Sequence, residues 1–365
     1  QTEQSRQTVA EENDAEQVKT AGNLEVHFID VGQGDATLIK CDGHSMLIDA
    51  GNNDKGTLVQ NYLQHQGVET LDYVIGTHPD ADHIGGMDVV LYKFDCKTII
   101  MPDVANNTRT YDDVVQTMKN KGYKTTYPVV GETYTIGGAA FTIIAPNKEY
   151  GNDMNSWSVG VLLQNGNHRF LFTGDAEEGA EQDILQNGID ISADVYKVAH
   201  HGSNTATSQA FLDAVHPTYA VISAGEGNSY GHPHAEVLNR LRAAGVSVFR
   251  TDEQGTIVAA SDGTTLTWNM SPSESWQAGE AKKSQDTDKS EKSTDSQNNA
   301  ETDAAVSNPT DQTDGNSDVI VHITKTGEKY HSAGCQYLRK SDIEVTLSEA
   351  KARGLTPCSK CNPPQ

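Results

Sequence analysis

Thr77-His78-Pro79-Asp80-Ala81-Asp82-His83-Ile84-Gly85-Gly86 follows directly on a short apolar run at 73–76. Four side chains able to bind a metal, His78, Asp80, Asp82 and His83, fall within six residues. In an extended loop His78, Asp80 and Asp82 share one side and His83 points elsewhere, so one loop can serve two adjacent ions. Mixed imidazole and carboxylate donors suit Zn, Mn or Fe rather than Ca. A polar loop of chance composition easily holds one His and two Asp. Two of each at this spacing, at the end of an apolar strand, point to a metal centre.

The flanking sequence says what kind of scaffold carries that loop. Leu24, Val26, Phe28 and Asp30 alternate with Glu25, His27 and Ile29, which predicts a strand over 24–30. Further strands are expected at 36–40, 45–49, 98–101 and 141–145, and a hairpin at 158–164 and 169–172 that ends in Gly174-Asp175. A strand at 195–199 runs into His200-His201-Gly202. Strands at 219–223, 246–250 and 256–260 follow, with helices near 57–67, 111–121, 177–187, 208–214 and 235–243. Hairpins precede mixed strands and helices, so a simple doubly wound sheet is excluded. Polar residues gather at strand ends, where layered α/β folds place their sites.

Composition sets the outer limits. The chain has 365 residues, 36% of them hydrophobic, with 13 Tyr and 3 Trp, enough to bury a large core. No apolar run approaches the roughly 18 residues of a membrane span. The net charge is −24, of which −17 falls on 22–270. So acidic a body is a poor non-specific binder of nucleic acid. Residues 1–21 are polar and acidic and open at Gln1. They are expected to be a disordered leader of a secreted or cell-surface bacterial protein after signal removal, with a trimmed cytoplasmic protein as the alternative. Residues 271–318 hold almost nothing apolar and are expected to be a disordered acidic linker. The chain therefore divides into a catalytic domain at 22–270 and a small module at 319–365.

The motif His-x-Asp-x-Asp-His-x-Gly-Gly at 78–86 resembles the first metal motif of the metallo-β-lactamase superfamily, in the form of its ComEC competence-protein branch. Similar too are Phe28-Ile29-Asp30-Val31-Gly32-Gln33-Gly34-Asp35, Leu47-Ile48-Asp49-Ala50-Gly51, Phe172-Thr173-Gly174-Asp175, Lys197-Val198-Ala199-His200-His201-Gly202-Ser203 and Asn228-Ser229-Tyr230-Gly231-His232-Pro233-His234. The order is preserved across nearly all of 22–270. The resemblance implies an α/β (α+β) fold, a four-layer αββα sandwich with two divalent ions, Zn or Mn, at its edge. It implies His78 and Asp80 on one ion, Asp82, His83 and a His of the 200–201 pair on the other, and Asp175 bridging. We favour His200 as that ligand, being the first His after the strand, with His201 lining the pocket. The superfamily's further His, between the second motif and the Gly-Asp, is replaced here by Asn155-Ser156, since His168 sits in a strand turn. Asp82, Asp175, His201 and His232 are the candidate catalytic residues. Asn155, Ser156, Ser203, Tyr230 and His234 are candidate substrate contacts. Asp30 and Asp49 read as turn residues or as carboxylates that orient a liganding His.

Residues 319–365 carry His331-x3-Cys335 and Cys358-x2-Cys361, one His and three Cys, a full tetrahedral set for one structural Zn. So short a module gains from a metal staple; a disulfide with one leftover thiol is the alternative. The segment resembles the small metal-binding domain of the Ada DNA-repair protein. Its net +3, with Tyr337, Arg339 and Lys340, suits contact with a phosphate backbone only weakly. Cys41 and Cys96 are expected to be core thiols.

These readings converge on a secreted, metal-dependent phosphodiesterase or nuclease acting on DNA through a hydroxide activated by two metals. A hydrolase of small phosphoesters (cell-wall choline phosphate, cyclic phosphates) or lactones is the alternative, and the acidic body suits it. A non-enzymatic surface binding protein comes last, because closed sites, not open ones, hold structural metals. The sequence names no protein partner.

Overall fold

The computed structural model describes residues 21–280, 320–324, 329–331, 338, 343–352, 355–358, 360 and 361. The chain forms two separate compact units. The expected leader short of residue 21 and the linker over 281–318 lie outside the described residues, as do Cys335, Tyr337, Arg339 and Lys340.

The strands of the first unit are β1 (Leu24–Phe28), β2 (Thr37–Cys41), β3 (His44–Ile48), β4 (Thr70–Ile75), β5 (Asp95–Ile100), β6 (Thr125–Thr126), β7 (Thr133–Ile136) and β8 (Ala139–Ala145). They continue as β9 (Gly160–Asn165), β10 (His168–Phe172), β11 (Val195–Lys197), β12 (Tyr219–Ile222), β13 (Ser247–Arg250), β14 (Ile257–Ser261) and β15 (Leu266–Trp268). One sheet runs β15-β14-β1-β2-β3-β4-β5-β6 and the other β13-β12-β11-β10-β9-β8-β7. Each sheet joins an antiparallel part to a parallel run, β3 to β6 in one and β10 to β13 in the other.

The alternation along the strands builds the layers. Ile39 and Cys41 of β2 and Phe170 and Phe172 of β10 face the core between the sheets. Their neighbours face outward: Leu38 joins Val59, Leu63, Met87 and Val114 on helices over the first sheet. Leu171 joins Ile184, Phe211, Val237 and Leu241 on helices over the second. A strand with apolar residues on both faces must be covered on both, so the result is the four-layer αββα sandwich. Cys41 and Cys96 are buried thiols within it. No helix among the described residues is long and apolar enough to cross a membrane.

The boundary at 270 differs from expectation. Residues 271–280, expected as part of the linker, lie against the domain as a strap. Ser273 N–H donates to Val248 O at 2.7 Å and Gly279 N–H to Pro233 O at 2.9 Å. The buried Arg250 donates from Nη1 to Gln277 O at 2.6 Å. Trp276 and Ala278 pack on the core over the second sheet, and the Trp276 ring lies 5.7 Å from the Arg242 guanidinium. Its composition is polar, but one indole and a few backbone bonds suffice to anchor ten residues.

The second unit holds β16 (Ile320–Ile323), β17 (Lys329–His331), β18 (Ile343–Thr346), a helix at Leu347–Ala352 and β19 (Thr356–Pro357). Its sheet runs β18-β16-β17-β19. Val321, Ile323, Tyr330, Val345, Leu347 and Ala350 form a small core, which fits a module that needs a further staple.

Candidate metal centre

The site forms where the parallel strands of both sheets end. β4 leads through Gly76 into Thr77 and His78, and Asp49 lies just past the end of β3. Thr77 donates to both Asp49 oxygens, from its N–H and from Oγ1, each at 2.8 Å. The loop then turns instead of staying extended. Ala81–Ile84 is a single helical turn, with Asp80 O accepting from His83 N–H at 3.1 Å and Ile84 N–H at 3.0 Å. This corrects the expectation that His78, Asp80 and Asp82 share a side and His83 points away. The turn brings His83 beside His78, with ring centroids 4.2 Å apart.

Each of three buried imidazoles is held by its outer nitrogen. His83 Nδ1 lies 2.8 Å from Asp49 Oδ2. His78 Nδ1 lies 3.1 Å from Thr77 Oγ1 and 3.4 Å from Ser158 Oγ. His201 Nδ1 lies 3.0 Å from Ser223 O and 3.3 Å from Asp35 Oδ1. A ring anchored through Nδ1 presents Nε2. His78 Nε2, His83 Nε2, His201 Nε2 and Asp175 Oδ1 are all buried without a hydrogen-bond partner. Asp175 Oδ1 is 3.2 Å from His83 Nε2 and Asp175 Oδ2 is 3.5 Å from His201 Nε2. Asp82 Oδ2 is 3.3 Å from His201 Nε2 and Asp80 Oδ2 is 3.7 Å from His78 Nε2. Buried polar atoms are seldom left unpaired. Imidazole nitrogens and carboxylate oxygens left so around one centre form a donor set that fits divalent cations.

Backbone strain marks the same place. Gly174 has φ +53, and a Cβ there would meet Ser158 Oγ at 2.9 Å and Thr77 Cβ at 3.0 Å. The next residue, Asp175, donates its N–H to Ser158 Oγ at 3.0 Å. His200 and His201 both adopt left-handed backbone, φ 50 and φ 53, a conformation that costs non-glycine residues and clusters at functional sites.

Residues 29–226 match the metallo-beta-lactamase superfamily. The chain belongs to that superfamily. It is 31% identical to ComE operon protein 3 of Bacillus subtilis over 255 residues, which is 64% of this chain and 32% of that one. It is 33% identical to Recombination protein 2 of Haemophilus influenzae over 238 residues, 64% of this chain and 28% of that one. The chain thus spans about a third of the length of the curated relatives it matches. Among solved structures it is similar to the metallo-beta-lactamase fold protein YhfI of Bacillus subtilis, with 14% identity, a TM-score of 0.47, and coverage of 66% of this chain and 100% of that one.

Within the metallo-beta-lactamase domain, electrostatics agree with the donor geometry. Burial opposes charge on His83, but Asp175 and Asp49 hold its pKa well above the ordinary value. Burial likewise opposes charge on His201, yet Asp175 and Asp35 push it up to about 10. His78 is pulled down to about 3 by its own burial and by the neighbouring His83. Against burial, His83 and His201 keep Asp175 well below the carboxylate range. The carboxylates at this centre draw positive charge to it.

Several residues lie elsewhere than the sequence predicts. His201, not the favoured His200, joins Asp82 and His83 with ligand atoms within 4.8 Å of one another. The left-handed turn leaves His200 partly exposed while His201 is buried. His200 Nδ1 lies 3.1 Å from Thr205 Oγ1 and its Nε2 3.6 Å from Asp175 Oδ2. His168 is bonded to Ser261 Oγ at 2.7 Å, on the start of β10. Asn155 reaches Glu177 Oε1 at 3.2 Å, beside His200. Ser156 is buried and donates to Asp153 Oδ2 at 2.6 Å, so its hydroxyl serves its own turn and not a substrate. Ser203 is likewise buried and lies 3.0 Å from Thr205 Oγ1. His234 Nδ1 accepts from Asn204 N–H at 3.0 Å and its Nε2 lies 3.2 Å from Tyr230 O, which clasps the loop. His232 is buried against His200 and His201, and Tyr230 is exposed beside it.

Two functional residues went unnoticed in the sequence. Asp35 is buried behind His201, and Lys197 Nζ lies 2.9 Å from Asp35 Oδ2, with the Lys197 side chain only 3% exposed. The signal was available: a lysine inside the otherwise apolar 195–199 strand demands a buried partner.

Proposed function

We propose that the domain is a metal-dependent phosphodiesterase that cleaves DNA, acting outside the cell. The observation that carries this reading is the set of buried, unpartnered donor atoms on His78, His83, His201 and Asp175, with the rings of His200, His232 and Tyr230 clustered beside it. His78, Asp80 and Asp175 would hold one divalent ion, Zn or Mn. Asp82, His83, His201 and Asp175 would hold the other. Bound there, the ions supply Lewis-acid charge and acidify a water molecule at neutral pH. The chain's own residues do the rest. Ser158 Oγ lies 3.4 Å from His78 Nδ1 and, with Thr77, holds that ring so that its Nε2 is left for an ion. Asp49 and Ser223 fix the tautomers of His83 and His201. His200, tied through Nδ1 to Thr205, presents Nε2 toward Asp175, 3.6 Å from its Oδ2, where it can donate a proton to the leaving oxygen or hold a phosphate. Relatives named ComE operon protein 3 and Competence protein ComA support DNA as the substrate.

A second reading, a hydrolase of small phosphoesters or lactones, is favoured by the −17 charge of 22–270, which repels a polyanion. The test is incubation with Mn or Zn and labelled single- or double-stranded DNA, alongside bis-p-nitrophenyl phosphate, glycerophosphocholine and a lactone. We expect single-stranded DNA to be cut and cutting to stop with chelator. Turnover of a small ester or lactone with both DNA forms left intact would transfer the function to the second reading.

For the second unit we propose one structural zinc on His331, Cys358 and Cys361, with Cys335 as the fourth ligand. In support, the ligand atoms of the first three lie within 4.8 Å of one another. Elemental analysis of the full chain should find one zinc fewer per molecule in Cys358→Ser than in wild type. Equal zinc would return this unit to the disulfide alternative.

A further inference from the structure

Three rings form a ladder from the metal centre to solvent. The inner rung is His201. His232 follows, its centroid 6.2 Å from that of His201 with the planes 27° apart. Tyr230 is the outer rung, 5.5 Å from His232 and tilted by 19°. Two near-parallel steps in sequence are unlike the edge-on contacts that His232 makes with His200 and His234, at 71° and 82°. Tyr230 is 63% exposed, so the ladder ends in an aromatic ring open to solvent.

The loop that carries it is built to hold that pose. Asn228 is buried and donates from Nδ2 to Gly225 O at 2.9 Å and His232 O at 2.6 Å. Its Oδ1 accepts from Tyr230 N–H at 3.1 Å and His232 N–H at 3.0 Å. The strap adds Gly279 N–H to Pro233 O at 2.9 Å, and a Cβ at Gly279 would meet His232 O at 2.1 Å. The backbone that carries both aromatic rungs is therefore fixed by one buried side chain and braced from outside. An exposed ring on a fixed backbone, stacked on His232, has less freedom to lose on binding a planar partner.

We propose that the outer face of Tyr230 is a stacking platform for an unpaired nucleobase next to the cleaved phosphodiester. This inference rests on the DNA-directed reading above and deepens it to single-stranded substrate. The charge of the domain supports it. A body carrying −17 over 22–270 holds a strand poorly by phosphate contacts away from the metal centre. Stacking attracts every base through its π face and depends far less on salt. A paired base in a duplex keeps its faces covered by its neighbours, so the platform discriminates between the two forms of DNA.

The test separates binding from cleavage. Metal-stripped full chain is titrated against a fluorescent single-stranded oligonucleotide, and against the same strand with abasic sites, with anisotropy as readout. The wild type should bind the normal strand about tenfold to a hundredfold more tightly than the abasic one. Tyr230→Ala should lose that preference and Tyr230→Phe should keep it. With metal restored, Tyr230→Ala should raise KM for the normal strand and leave KM for the abasic strand unchanged. Equal wild-type affinity for both strands, or an unchanged preference in Tyr230→Ala, overturns the platform. A wild type that prefers bases but cuts no DNA leaves the platform standing and removes the nuclease reading instead.

Discussion

Asp175→Ala is expected to lower turnover by roughly 10³-fold and to reduce the bound divalent ions from two per domain to one or none, with the fold intact. Asp175 is the one carboxylate that faces both halves of the centre. Its carboxylate shares a set of ligand atoms within 4.8 Å of one another with His78 and His83, while its Oδ2 is 3.5 Å from His201 Nε2. No neighbour can take over that position, because the side chain is buried between Ser158, His83 and His201. Charge stabilisation at such sites is worth several kcal/mol, and each 1.36 kcal/mol is tenfold in rate, which gives the magnitude. The fold survives because the structural bond here is made by the backbone. Asp175 N–H, not its carboxylate, donates to Ser158 Oγ, and alanine keeps that donor. Elemental analysis, initial rates and circular dichroism on the same preparation check the three parts. Two ions retained, with turnover unchanged, would remove Asp175 from the bridging position.

What the sequence made legible was the donor chemistry; what it hid was local geometry. The density of ligands at 78–83 and the Gly174-Asp175 and His200-His201 pairs sufficed to place three distant segments at one centre. The rotation of each side chain did not follow. Periodicity assumes a regular backbone, and the centre is irregular where it matters: Ala81–Ile84 turns helical, and His200 and His201 are left-handed. First after the strand is a rule for extended chain, and it fails once φ changes sign. The strap at 271–280 escaped for another reason. Its stabilisation comes from one indole and from backbone groups, which leave no compositional trace. Ser156 and Ser203 looked available because a hydroxyl's partner cannot be read from spacing, and both hydroxyls are occupied by neighbours within three residues.

Lys197→Met is expected to destabilise the domain by about 3–5 kcal/mol, the usual cost of leaving one buried charge without its partner. The lysine ammonium donates to Asp35 Oδ2 at 2.9 Å and to Val198 O at 3.1 Å. Burial works against a charged Asp35, but Lys197 and His201 outweigh it and hold the Asp35 pKa below its ordinary value. Methionine removes the main compensation and leaves the carboxylate enclosed. Asp35→Asn alone strands the ammonium and should cost a similar amount. The double variant Asp35→Asn/Lys197→Met has no uncompensated charge, so most of the loss should return, which is the coupling that a double-mutant cycle measures. Metal binding should not return with it. Asp35 Oδ1 lies 3.3 Å from His201 Nδ1, on the side of the ring away from the centre, and groups in that position orient a liganding imidazole and are typically worth 10- to 100-fold in metal affinity. Denaturant unfolding of the metal-free protein and metal titration of the same four proteins separate the effects. A double variant as unstable as the sum of the singles would mean the buried pair is not a coupled unit. Full metal affinity in that variant would mean that Ser223 O alone aims His201, and that the ion pair serves the fold and not the site.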